Sequence, residues 1–181
     1  MKDLFFHPLP QLDIGLLNYF SILGRALFTA QHFETNCRAL AGFLLIKEDQ
    51  AKNGSNLLEA PEFHSKMNKL WGQSLGSIIL RIPLGISRPN DISQALDEAR
   101  DARNQIAHWA TVGVDIKNET ELSTRINEIS ILVQKVARAD KYIATLLHVI
   151  NKDSIPADAF FRQYEKTVAD WVCEPAFGES K

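Results

Sequence analysis

The sequence predicts an all-α protein, a bundle of four to five helices with two long antiparallel members. Apolar residues recur at spacings of three and four over long stretches, and strand-like alternation is scarce. Proline and glycine fall mostly between the periodic stretches. At 181 residues, 45% apolar and 23% charged, the chain suits a single domain with a core of its own. Residues 10–150 form the expected body, and 151–181 an additional helix and a mobile tail.

After the entry Pro8-Leu9-Pro10, the first helix is expected from Gln11 to Gln50, with Leu16, Phe20, Leu23 and Leu27 as its apolar stripe. Lys52-Asn53-Gly54-Ser55-Asn56 supplies the turn chemistry that ends it. Gln31, His32 and Glu34 interrupt the stripe. Such a break marks a lined cavity or a buried hydrogen bond to another helix, or else the stripe rotates toward Cys37, Leu40 and Leu44.

A second helix is expected over Pro61–Arg81, with Phe63, Met67, Leu70, Trp71, Leu75, Ile78 and Ile79 on its buried side. Gly72 and Gly76, four apart, either permit close packing or weaken the helix. The third helix starts after Asn90 or Asp91, runs to Ala110 and stops near Gly113. A fourth spans Glu119–Ile150, with Leu122, Ile126, Ile129, Val133, Val136, Tyr142, Leu146 and Val149 inward. Asp153-Ser154-Ile155-Pro156 separates it from a last helix over Ala157–Val172.

Composition narrows the function classes. A net charge of −2 means that any nucleic-acid role depends on a local basic patch. Cys37 and Cys173 have no metal-ligand spacing and read as two reduced thiols. An acid at Asp3 and the prolines that follow argue against a signal peptide, and no run of about 18 uncharged apolar residues suggests a membrane span. The expected location is the cytoplasm. His7, His64 and His148 lack carboxylates at metal spacing, so neither a metal nor a cofactor is expected. Gly113-Val114-Asp115 is too poor in glycine for a phosphate cradle, and no Gly-x-Ser-x-Gly segment appears.

On the third helix each residue turns about 100° from the last. Ala95, Ala99, Ala102, Ile106 and Trp109 then share the core side, while Asp97, Asp101, Asn104 and His108 cluster almost opposite. Arg103 lies on the flank, roughly 140° from His108. A straight helix does not present these two on one narrow face; a long side-chain reach, a loosened helix end or a symmetric second copy brings them together. By charge alone the stripe is a solvated face with weak ion pairs.

Arg103-Asn104-x-x-x-His108 resembles the motif of HEPN domains, in which an arginine, often followed by a polar residue, precedes a histidine by a few positions. The surrounding Ala95–Trp109 segment and its place late in a helical bundle are similar to the family as well. The resemblance covers residues 10–150. It implies a HEPN-type fold, a metal-independent endoribonuclease and a homodimer with two motifs converging at the interface. It also implies roles: His108 as general acid or base, Arg103 on the scissile phosphate, Asn104 as an orienting hydrogen-bond partner. Asp101 is a further candidate for orienting the site.

The implied chemistry suits these residues. RNA carries its own nucleophile, the 2′-hydroxyl, beside the phosphate it attacks. An imidazole takes that proton near neutral pH, and a forked guanidinium stabilises the charge that builds on the phosphoryl oxygens. The implied partners are RNA, a second copy of the chain and a cognate antitoxin or regulatory protein, in a toxin or phage-defence setting without a membrane. The alternative is a non-catalytic HEPN-like module for protein–protein or nucleotide binding.

Overall fold

The computed structural model describes residues 13–54, 61–82, 90–108, 118–154 and 158–177, and among these it contains six helices and no strand. They are α1 (Ile14–Asn53), α2 (Phe63–Trp71), α3 (Leu75–Arg81), α4 (Asn90–His108), α5 (Glu119–Asn151) and α6 (Asp158–Cys173). The all-α class stands. The count exceeds the expected four or five because Pro61–Arg81 holds two helices. Ser74 makes the break: its backbone is extended and its hydroxyl accepts from the Ser77 N–H at 3.3 Å, capping a new helix.

Asp13 caps α1 by accepting from the Leu16 N–H at 2.7 Å. Gly54 ends it in the left-handed region at φ 62°, its N–H bonded to the Gln50 carbonyl at 3.0 Å. The buried face of α1 runs through Leu16, Tyr19, Ile22, Ala26, Ala30, Phe33, Cys37 and Leu40. It is rotated from the expected stripe, so that Phe20 is 41% exposed and Leu27 only half-buried. The rotation follows from α1 having neighbours on several sides: α5 covers most of its inner face, and α3, α4 and α6 close over its flanks.

Asn118 caps α5, accepting from the Thr120 and Glu121 N–H groups at 3.1 and 3.2 Å. Glu119 and Glu121 add negative charge at the helix's positive end. Val149, expected inward, lies exposed in the last turn of α5. The expected antiparallel arrangement of the two long helices is corrected: α1 and α5 run parallel. Tyr19, early in α1, feels the charges of Glu121, Arg125 and Glu128, early in α5. Further along both helices, Asn36 donates to Asp140 at 2.9 Å. The chain passes between them through α4, whose C-terminal part reaches Glu34 of α1 through Arg103 and faces Arg125 and Glu128 of α5 with Gln105.

The core gathers Phe33, Leu40, Ile78, Ile79, Leu96, Ile106, Val133, Val136 and Ile143 from α1, α3, α4 and α5. Side chains of this size contribute about 1.5–3 kcal/mol each when fully buried. Ala169 and Val172 of α6 join the same core, and Phe177 beyond it is tied to Asn18 by reciprocal bonds of 2.8 and 3.0 Å. Of the described glycines, Gly42 has the tightest surroundings: a Cβ there would meet Met67 Cε at 3.0 Å, so α2 crosses α1 at a residue without a side chain. Gly72 and Gly76 have room for a Cβ. No helix among the described residues is long and apolar enough to cross a membrane. Pro8-Leu9-Pro10, Trp109, Gly113-Val114-Asp115 and residues 178–181 lie outside the described residues.

Candidate functional site

Helix α4 places its residues much as a straight helix should. Ala95, Ala99, Ala102 and Ile106 are buried, and Asp97, Asp101, Asn104 and His108 are exposed. Arg103, on the flank, bends inward. Its Nε donates to Glu34 Oε2 at 2.8 Å and its Nη2 meets the same oxygen at 2.6 Å, while Nη1 donates to Asn104 Oδ1 at 3.2 Å. Glu34, on α1, is 7% exposed, and its other oxygen meets Arg38 Nη2 at 2.6 Å. A buried carboxylate thus sits between two guanidinium groups. That satisfies its lone pairs and leaves the trio with one net positive charge.

The trio stands at the edge of a cleft of about 300 Å³ lined by Glu34, Ser74, Leu75, Gly76, Arg100, Arg103 and Asn104. Arg100 forms the outer lip. Its Nε donates to Asp101 Oδ1 at 3.0 Å and its Nη1 to Asp97 Oδ1 at 3.0 Å, so both acids are engaged with one cation. A second cleft, about 440 Å³, flanks α4 on its other side, where Gln105 faces Arg125, Glu128, Ile131 and Lys135 of α5.

The structure joins Arg103 to Asn104 and holds Asp101 one cation away on Arg100. It does not join His108 to them. His108 is the exposed last residue of α4, and no hydrogen bond or ion pair to it occurs among the described residues. Five residues of helical rise separate it from Arg103 by about 7.5 Å along the axis, and the two side chains leave on different flanks.

Sequence reasoning did not assign the residues that hold Arg103. Glu34 stood out as a break in an apolar stripe, and Arg38, four residues later, is at the spacing of a helical ion pair. The missing information was which distant residue the break served. Arg38 also donates to the Gln73 carbonyl at 3.3 Å and lies 5.7 Å from the centre of the Trp71 ring. Trp71, expected in the core, is 47% exposed, because α2 ends there and the chain turns away at Gly72.

A separate polar cluster lies on the far flank of α1. Asp140, 6% exposed, accepts from Asn36 Nδ2 and from the Tyr164 hydroxyl, both at 2.9 Å, and so ties α1, α5 and α6 together. Burial and the Asp140 charge push the Tyr164 hydroxyl well above its ordinary pKa of 10.0. Burial does the same to the Cys37 thiol, on which Asp140 and Glu34 both act. Set against known proteins, the chain matches no family model, no curated protein and no solved structure.

Proposed function

We propose that this chain is a HEPN-type helical protein that cuts single-stranded RNA without a metal, Arg103 gripping the scissile phosphate and His108 moving the proton. The observation that supports this reading best is the anchoring of Arg103. Its guanidinium is fixed by Glu34 and Asn104 at the edge of an open cleft, in a trio that keeps a net positive charge. Three of its five N–H groups are engaged among the described residues, which leaves donors for phosphoryl oxygens. A cation held in place before substrate arrives spends no reorganisation as charge develops.

In the proposed reaction His108 takes the proton of the 2′-hydroxyl. The new O2′–P bond forms as the P–O5′ bond breaks, giving a 2′,3′-cyclic phosphate. The departing 5′-oxygen takes a proton from the imidazolium of a second copy and leaves as a 5′-hydroxyl. A homodimer packed through the exposed face of α4 meets the separation of Arg103 from His108, because each Arg103 then works with the His108 across the two-fold axis. Asn104 and Asp101 orient Arg103 and Arg100. The setting that fits is a cytoplasmic toxin or phage-defence protein restrained by a cognate antitoxin.

A second reading has its own observation. The Arg103–Glu34 pair ties α4 to α1 as a structural link, and Asp97 and Asp101 keep the outer face of α4 acidic. Both suit a non-catalytic module that binds a protein or nucleotide. The deciding experiment is incubation of labelled single-stranded RNA with the wild type and with His108→Ala in excess chelator. Cleavage by the wild type alone, with cyclic phosphate ends, supports the ribonuclease. RNA left intact by both proteins overturns it in favour of the binding module.

A further inference from the structure

Among the described residues two tryptophans lie on the surface, Trp71 at 47% and Trp171 at 46% exposure, and each is backed by an arginine of α1. Their settings differ. Arg25, behind Trp171, reaches the Glu174 carbonyl on the flank of α1 that faces α6. Arg38, behind Trp71, belongs to the trio that holds Arg103. From the Arg103 guanidinium to the Trp71 ring the path is one carboxylate and one guanidinium, with the cleft of Ser74, Leu75 and Gly76 alongside.

Trp71 also has a well-anchored neighbour. Arg38, bonded to Glu34 at 2.6 Å and to the Gln73 carbonyl at 3.3 Å, stands 5.7 Å from the centre of the indole ring. Beside it two buried polar atoms of opposite sense, Arg38 Nε and Gln73 Oε1, have no hydrogen-bond partner among the described residues, whereas beside Trp171 a donor, Arg25 Nε, is unpaired without an unpaired acceptor next to it. Buried polar atoms are nearly always paired, so an unpaired donor and acceptor together mark polarity the fold itself does not use. An exposed flat ring, unsatisfied polar atoms at its side and, beyond Arg38 and Glu34, a cleft lined in part by Arg100 and Arg103 match the three parts of one ligand class: a base to stack, a polar base edge and a phosphate.

We propose that Trp71 is the stacking platform for a base of single-stranded RNA whose phosphate occupies the Arg103 cleft, the polar edge of that base being met by Gln73 after a turn of its amide. This rests on the proposed RNA-cutting function and names the part of the substrate that fixes its position. Stacking on an aromatic ring accepts any base, so Trp71 gives grip and register, and Gln73 gives preference among bases.

The test measures binding of a labelled RNA oligomer to the full chain carrying His108→Ala, so that no substrate is consumed, with helicity checked for every variant. Added Trp71→Ala is expected to weaken binding about tenfold, Trp71→Phe to restore most of it, and Trp171→Ala to change nothing. The Trp71 effect should vanish on an oligomer of abasic ribose phosphate, which has no ring to stack. If Trp71→Ala binds RNA as tightly as its parent while Arg103→Ala does not, the platform is refuted and the cleft reading survives. If Trp71→Ala and Trp171→Ala weaken binding equally, the effect is general surface hydrophobicity and the platform is again refuted. If the parent binds no RNA at all, the RNA reading itself falls and takes the platform with it.

Discussion

Arg103 and Glu34, 69 residues apart in the chain, meet through two nitrogens on a single carboxylate oxygen, and this contact ties α4 to α1. The other oxygen of Glu34 belongs to Arg38, so one buried acid serves two bases. The two sides of the contact are therefore unequal, and their removal should be too.

Glu34→Ala leaves two guanidinium groups facing each other without their counter-charge and should cost about 3 kcal/mol or more. Arg103→Ala leaves Glu34 paired with Arg38 and should cost about 1–2 kcal/mol. Urea unfolding of both variants measures the difference. Equal losses would show that Arg38 does not support Glu34 when Arg103 is gone.

For the proposed reaction, His108→Ala should lower the cleavage rate by roughly 10²–10⁴-fold while leaving the unfolding midpoint unchanged, since His108 is exposed. Arg103→Lys should lose much of the activity as well, because a point charge cannot hold Glu34 and a phosphate through one planar fork. Single-turnover cleavage of a labelled oligomer, alongside unfolding curves, separates the chemical effect from the structural one.

Alkaline pH should weaken the fold. Cys37 and Tyr164 both have folded-state pKa values above their ordinary 9.0 and 10.0, with burial the largest cause. The unfolded chain therefore releases these protons first. The stabilising contribution is complete below about pH 9 and declines as pH rises, first through Cys37 and then through Tyr164. The slope reaches at most about 1.4 kcal/mol per pH unit for each group. Urea midpoints between neutral pH and pH 10 should fall, and Cys37→Ala should make the first part of the fall shallower, the part that remains there coming from Cys173, whose thiol burial also raises. A flat profile in the wild type would count against buried, protonated groups at both positions.

Two helix ends offer opposite tests of backbone strain. Gly54 caps α1 at φ 62° and Lys152 caps α5 at φ 60°. Gly54→Ala should destabilise by about 1 kcal/mol, whereas Lys152→Gly should stabilise by a few tenths to about 1 kcal/mol, offset in part by the freer unfolded chain. Thermal melts of the two variants, compared with the wild type, should move in opposite directions.

Much of the helical content could be read directly, because periodicity, caps and breaks are local. Asn118 and Gly54 mark helix ends through chemistry that involves only their neighbours. The buried face of α4 was legible for the same reason, being a narrow stripe of small residues. What periodicity cannot say is which flank of a long helix its neighbours cover. That is why Phe20, Trp71 and Val149 were expected inside and lie exposed, and why the shared direction of α1 and α5 was missed. The site divides in the same way. Arg103, Asn104 and His108 were visible as a local spacing, whereas Glu34 showed only as an irregularity whose meaning depended on an arginine one long excursion of chain away.

The tie between Asn18 and Phe177 brings the last described residue onto the first turns of α1. Glu34 lies sixteen residues further along that helix, about 24 Å at its rise per residue. A fluorophore or spin label on an engineered cysteine at Phe177, in a chain with Cys37 and Cys173 replaced by serine, is thus mounted at a known distance from the cleft without touching it. If two copies meet through α4, the label-to-label distance measures their separation directly in solution, and a single copy gives no such signal. The molecule carries its own ruler, with α1 as the scale.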